Sequence, residues 1–199
     1  MKGSYSTSKM MLLALVVTSA LLLSTMIWLQ PTTITQAASA QTITANCYGH
    51  IATIVGTPAS ENIVGTLSDD IIVTLEGSDR VHGRGGNDII CSGSGHNTII
   101  GGAGNDLIDG GNGSDFLSGG TGDDRIIGGI GSDILFGEYG VDRLEGGLGN
   151  DTLLGQADND FLFGDAIDGA TGRQNIDTGD GGSEFDSCVN VETVTNCEA

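Results

Sequence analysis

Basic residues are nearly missing from this chain of 199 residues. Seven lysines and arginines face 26 aspartates and glutamates, for a net charge of −19. Both lysines, Lys2 and Lys9, lie near the N-terminus. Beyond residue 40, five arginines stand against the same 26 acidic residues, a net of −21. Such a surface repels nucleic acid, anionic membranes and itself, and its natural partners are cations. Aromatic residues are scarce at 5%, which excludes a core built on large rings. No CxxC occurs, and His50, His82 and His96 are not spaced as ligand pairs, so nothing indicates zinc. There is no HExxH helix and no GxSxG elbow. The aspartates recur with a period, so a ligand role explains them better than general acid catalysis. The histidines fall at unrelated places, and the reading is of a protein that is not an enzyme.

Glycine is what the chain has in excess. The 34 glycines follow no G-x-y triplet, so they are not collagen-like. Aliphatic residues recur among them at a fixed place, so they are not a disordered linker either. From Gly101 to Leu154 the sequence reads GGAGNDLID, GGNGSDFLS, GGTGDDRII, GGIGSDILF, GEYGVDRLE, GGLGNDTLL. Glycine stands at places one and four, aspartate at six and an aliphatic residue at eight. The register extends back to Gly56 and forward to Phe163, giving twelve repeats without insertion. The eighth place is aliphatic throughout, from Ile63 to Leu162, and forms the expected core. The sixth place holds Asp70, Asp79, Asp88, Asp106, Asp115, Asp124, Asp133, Asp142, Asp151 and Asp160, with Glu61 and Asn97 as its two exceptions.

The flanks differ. Residues 1–40 read as an export signal: Lys2 and Lys9 precede an apolar run from Met10 to Leu29, and Ala38-Ser39-Ala40 offers a small-residue cleavage pattern. The run is also long enough to serve as an uncleaved anchor. Either way residues 41 onward lie outside, so the expected location is secreted or extracellular, with a membrane-anchored form as the alternative. Residues 41–55 form a linker and an N-terminal cap strand within CYGHIATIV (47–55). Residues 56–163 form the repeat domain. Residues 164–199 contain an insertion (Gly164 to Gly169), two degenerate repeats over Ala170 to Ser187 with Asn175 and Glu184 at the sixth place, and a last strand in CVNVETVTNC (188–197). Cys47, Cys91, Cys188 and Cys197 make an even count in an exported chain, which suggests disulfides. Three pairings are open. Cys47–Cys91 with Cys188–Cys197 is favoured because each bridge would tie an irregular end to a nearby coil; free buried thiols are the alternative.

The period has a structural meaning. Places seven to nine suit a short strand, and six residues rich in Gly, Asn and Asp suit a turn. Strand and turn repeated give an all-β parallel solenoid with two nonapeptides per coil. Repeats n and n+2 then stack, the eighth place points inward and the seventh and ninth point out. Stacked turns lie one strand spacing apart, about 4.8 Å, which brings like-charged aspartates together. A hard dication reverses the sign of that interaction. Calcium accepts six to eight oxygens in a forgiving geometry, and carboxylates with turn carbonyls can supply them; magnesium demands a tighter octahedron. Two ion rows are expected, one through Asp79, Asp115, Asp133 and Asp151, broken at Asn97. The other runs through Asp70, Asp88, Asp106, Asp124, Asp142 and Asp160. Gaps between stacked turns suggest roughly seven to ten calcium ions.

This pattern, G-G-x-G-x-D-x-U-x over Gly65 to Phe163, resembles the RTX, or haemolysin-type, calcium-binding nonapeptide repeat. The resemblance implies a right-handed parallel β-roll that is disordered without calcium and folds with it. It further implies carboxylate ligands from the sixth-place aspartates and carbonyl ligands from the turn glycines. Those are Gly101, Gly110, Gly119, Gly128, Gly137 and Gly146 at place one, Gly102, Gly111, Gly120, Gly129 and Gly147 at place two, and Gly104, Gly113, Gly122, Gly131, Gly140 and Gly149 at place four. Thr74 and Ser92 depart from the first glycine, and Gln156 and Asp158 from glycines of the last turn. The CVNVETVTNC ending is similar to small stand-alone exported members of the group. The implied function is calcium binding in a structural or surface-associated role. Outward Phe116, Phe136, Phe161 and Phe163 motivate an alternative, a calcium-dependent adhesin or matrix component with a cell-surface, matrix or self-association partner. A further alternative is the repeat module of a separately encoded exported enzyme or toxin.

Overall fold

In a computed structural model the described residues are 45–165, 178–182, 186–189, 191 and 193–197. The export segment, and Asn175 and Glu184, lie outside them. β1 (Asn46–Cys47) and β2 (His50–Ile51) form an antiparallel hairpin. Strands then alternate between two sheets: β3 (Ile54–Val55), β4 (Asn62–Val64), β5 (Ile71–Val73), β6 (Arg80–Gly85), β7 (Ile89–Cys91), β8 (Thr98–Ala103), β9 (Leu107–Asp109) and β10 (Phe116–Thr121). They continue as β11 (Arg125–Ile130), β12 (Ile134–Tyr139), β13 (Arg143–Leu148), β14 (Thr152–Ala157), β15 (Phe161–Asp165), β16 (Thr178–Asp180), β17 (Ser187–Val189) and β18 (Thr193–Thr195). The odd strands from β3 to β17 make one parallel sheet of eight. The even strands from β4 to β18 make the other. The fold is the expected all-β parallel roll.

The eighth place explains the architecture. Leu117 pairs with Ile99 on one side and Leu135 on the other, so neighbours in a sheet are eighteen residues apart. Ile72, Val81, Ile90, Ile99, Ile108, Leu117, Ile126, Leu135, Leu144, Leu153 and Leu162 are all buried and form one continuous cluster between the sheets. Each contributes roughly 1.5–3 kcal/mol of burial free energy. Ile63 and Ile54 are only partly covered because they lie at the open end of the stack. Ile54 continues the column one repeat earlier than the twelve counted from Gly56.

Three features differ from the sequence reading. Strands such as β10 and β11 run six residues, through places one to three, because the turn is itself hydrogen-bonded between coils. Ile130 N–H donates to the Gly111 carbonyl and Gly131 N–H to the Leu148 carbonyl, both at 2.8 Å. Second, CYGHIATIV divides. Its Ile54-Val55 end is the first strand of the odd sheet, whereas the β1–β2 hairpin packs on that sheet's outer face against β5 and β7. A Cys47–Cys91 disulfide and a 2.8 Å bond from the Tyr48 hydroxyl to Asp109 hold it there.

Third, the repeat register resumes after Phe163 with eight extra residues and not six. Thr178 pairs with Thr152 and Ser187 with Phe161, each 26 residues apart. The expectation of Glu184 at a sixth place, with Asp186 at the eighth, is therefore corrected. Gly181 to Val189 reads GGSEFDSCV, with Asp186 at the sixth place and Cys188 at the eighth, packed against the core. An aspartate there would have faced the core; the two-residue shift puts a cysteine there instead. Cys188 is bonded to Cys197, so both pairings favoured from sequence are present.

Candidate metal centre

Each turn places its aspartate by a hydrogen bond to the neighbouring coil. The backbone N–H of Asp106 donates to Oδ1 of Asp124, that of Asp124 to Oδ1 of Asp142, and that of Asp142 to Oδ1 of Asp160, at 2.7–2.8 Å. The same bond joins Asp115 to Asp133 and Asp133 to Asp151 in the second row. Asn97 keeps the ladder intact, because its amide oxygen accepts the Asp79 N–H as a carboxylate would. All ten sixth-place aspartates are buried, at 6% exposure or less. The sequence-derived split holds: Asp70, Asp88, Asp106, Asp124, Asp142 and Asp160 stack along one edge, and Asp79, Asp115, Asp133 and Asp151 along the other.

The second carboxylate oxygen turns toward the first-place glycine of its own repeat. A Cβ on Gly128 would lie 2.6 Å from Asp133 Oδ2 and 2.5 Å from the Gly146 carbonyl oxygen. On Gly110 it would lie 2.8 Å from Asp115 Oδ2 and 2.7 Å from the Gly128 carbonyl. Glycine is required there because this space belongs to two converging acceptors. Oδ2 of Asp79, Asp88, Asp106, Asp115, Asp124, Asp133, Asp142 and Asp160 is buried with no hydrogen-bond donor. A buried oxygen without a partner is costly, and a charged one more so. Among the described residues no three acidic, histidine or cysteine side chains converge on one point. The cradle combines carboxylate with backbone carbonyl, a donor set suited to a hard cation.

Burial pushes up the carboxyls of Asp88, Asp106, Asp115, Asp124, Asp133, Asp142 and Asp160. Asp124 rises to about 8, by desolvation first and then by repulsion from Asp106, Asp142 and Asp123, against the lowering effect of its backbone hydrogen bond. Asp160 rises to about 7, and Asp106, Asp115, Asp133 and Asp142 to about 6, with desolvation the leading cause in each. Asp88 is raised for the same reason.

The repeats match a family model, the RTX calcium-binding nonapeptide repeat (4 copies), at residues 55–90, 64–99, 91–126, 109–138 and 136–166, which together span more than half of the chain. The chain belongs to the RTX calcium-binding repeat family. No curated protein matches it.

Within this RTX roll the turn glycines divide by role. First-place glycines bring their carbonyls beside the carboxylates. The carbonyls of second-place and fourth-place glycines face the glycine above, where a side chain would collide: that of Gly104 meets Gly122, and that of Gly102 meets Gly120. Gly122 has φ of +124°, a region closed to ordinary side chains.

The first two turns satisfy themselves. Oδ2 of Asp70 accepts the Thr66 N–H at 2.6 Å, and the Glu61 carboxylate accepts the Thr57 N–H and hydroxyl. Where Thr74 and Ser92 replace the first glycine, their hydroxyls enter the cradle. Thr74 donates to the Ser92 carbonyl at 2.7 Å and Ser92 to the Gly110 carbonyl at 2.6 Å.

Two features escaped sequence reasoning. Asp186 continues the longer row, its Oδ1 accepting the Asp160 N–H at 2.7 Å; GGSEFDSCV carried the signal, hidden by the insertion. A second ladder runs outside the first at place five. Side chains of Asp69, Asn87, Asn105 and Asp123 accept N–H groups from the following coil. Ser60, Ser78, His96 and Ser114 do so on the other edge, which gives His96 a structural role.

Proposed function

We propose that the chain is an exported calcium-binding module, a β-roll completed by ions held between stacked turns and serving a structural or surface-associated role. One observation carries this: eight buried carboxylate oxygens without a donor, in two files beside the first-place glycines. The ligands would be the sixth-place aspartates, with first-place carbonyls such as those of Gly101, Gly119, Gly128 and Gly146 in the same shell. Calcium supplies the positive charge that lets ionised carboxylates stay buried and close together. Roughly ten ions would carry about +20 against the −21 of residues 41 onward. Export is supported by the N-terminal charge and apolar pattern and by two disulfides. We assign residues 1–40 to the leader, 41–55 to linker and cap, 56–163 to the ion-binding roll and 164–199 to the closing coils. No catalytic role is assigned.

Far-UV circular dichroism during a calcium titration, with magnesium as control, tests the reading. A cooperative gain of β signal with calcium alone is expected, since glycine-rich chain entropy and self-repulsion oppose folding without it. A spectrum already complete in chelator at neutral pH would sink the ion-dependent fold. The second reading, a calcium-rigidified adhesin, draws on the outward phenylalanines. Phe116 and Phe136 stack on the even sheet with centroids 5.0 Å apart. Phe161 and Phe163 lie on the odd sheet, where Phe163 sits under Arg143.

A further inference from the structure

The two outer faces of the roll are unlike. The odd sheet is covered over its first half by the β1–β2 hairpin, and over its second half it carries Arg125, Arg143 and Glu145 in ion pairs of 2.7–2.9 Å. The even sheet has no such cover among the described residues. Its centre is mostly apolar: Ile100 on β8, Phe116 on β10, Ile134 and Phe136 on β12, and Leu154 on β14, with Ile100, Phe116 and Ile134 all about 40% exposed; the polar groups among them, Ser118 and Glu138, bond to each other at 2.6 Å. Its two ends differ in sign. Exposed Arg80 lies on β6, and half-buried Asp180 on β16.

The strand order makes this pattern self-complementary. The even sheet runs β18-β16-β14-β12-β10-β8-β6-β4, so its middle falls between β12 and β10. A two-fold axis along the strands at that middle lays β6 of one copy over β16 of the other, β8 over β14 and β10 over β12. Apolar then meets apolar, with Ile100 opposite Leu154 and Phe116 opposite Ile134. The basic end meets the acidic end, with Arg80 diagonal to Asp180 and within reach of a long side chain. An axis across the strands would instead place each strand on its own copy and set Arg80 against Arg80. Aligned packing of two sheet faces is an ordinary arrangement for parallel strand directions, and an isologous contact of this kind closes at two copies.

We propose that the even sheet is a self-association face that pairs two rolls in this orientation. The apolar strip spans four strands, about 19 Å, and two outward places along them, about 10 Å, or roughly 200 Å² per copy, well below the ~800 Å² typical of a stable complex. The dimer is therefore weak. It rests on the proposed calcium loading in one respect: two copies near −20 each repel until that charge is neutralised.

Sedimentation equilibrium of the full chain in millimolar calcium tests it, with circular dichroism of each sample confirming the fold. The weight-average mass should climb from one copy toward two between about 1 and 300 µM. Phe116→Asp and, independently, Ile134→Ser should weaken association at least tenfold, while Phe161→Ser on the opposite face leaves it unchanged. Arg80→Asp alone and Asp180→Arg alone should each weaken it, and the double variant should restore it. A monomer throughout, association indifferent to Phe116 and Ile134, or a charge swap that fails to rescue would each overturn the proposal.

Discussion

Ser92 shows how little separates a candidate cation site from a closed one. At Gly110 and Gly128 the space above the α-carbon belongs to a carboxylate and a carbonyl, both acceptors. At Ser92 a hydroxyl enters that space and gives the carbonyl a donor. In the same repeat Asn97 replaces the carboxylate and donates from Nδ2 to the Ser92 hydroxyl at 3.2 Å, so a hydroxyl and a neutral amide together replace the demand for a dication. Conversely, Asp124→Asn keeps the acceptor that holds the ladder and removes the charge. It should raise the calcium midpoint for folding several-fold, because ligand charge sets affinity in such sites; an unchanged midpoint would take Asp124 off the ligand list. Conformation is a second lever. Leu75, Arg84, Glu138 and Gln156 all stand at place two with positive φ between 79° and 85°, so the turn imposes its shape even where glycine is missing. Gln156→Gly should stabilise the calcium-loaded roll by about 0.5–1 kcal/mol by releasing that strain, read as a rise in melting temperature.

Among the elements, the N-terminal coils form a class apart. Glu61, Asp70 and Ser92 meet their needs within the protein, and only Asp79 and Asp88 there keep a carboxylate oxygen without a donor. The Cys47–Cys91 bridge also closes a separation of 44 residues, which in the chain-entropy account contributes about 4 kcal/mol. In chelator, amides of β5 and β7 should therefore exchange at least tenfold more slowly than those of β11 and β13. Uniform exchange along the chain would argue against a calcium-independent end. The nonapeptide period made the rest of the architecture legible. The aliphatic column from Ile72 to Leu162, the eighteen-residue stacking and the two aspartate files follow from one side chain in nine pointing inward. What the period could not convey lay outside it or beneath it. The eight-residue insertion concealed Asp186, because a register is lost once its phase is lost. Spacing put Val73 and Cys91 at an outward place, but not that the β1–β2 hairpin would dock on that face of the odd sheet, which is a matter of packing. The place-five ladder uses Asp, Asn, Ser and His interchangeably as acceptors, so no single residue type marks it.

At the scale of the whole molecule the carboxylates make folding answer to pH. An Asp124 that titrates near 8 when folded and near 4 when unfolded holds a proton in the folded state across that interval. The metal-free roll is thus most stable below about pH 4 as regards these groups and loses that stability as pH rises through 6 to 8. In chelator, acidification from pH 8 to 5 should recover β signal. With calcium the dependence reverses, since ions and protons compete, and adding calcium near pH 6.5 should release protons, measurable by calorimetry in buffers of different ionisation enthalpy. Metal-free stability that rose with pH would contradict the buried-carboxylate reading. The stacking has a mechanical side as well. Bonds between coils run along the axis of the stack, at eighteen-residue intervals, so a pull on the two ends loads them one coil at a time. Each release would free eighteen residues, about 60 Å of chain. The bridge from Cys47 to Cys91 makes the first coils inextensible, so the roll should unwind from its C-terminal end, first through the 26-residue spacing there and then in even eighteen-residue steps, as a ratcheted spring whose stiffness is set by the calcium around it.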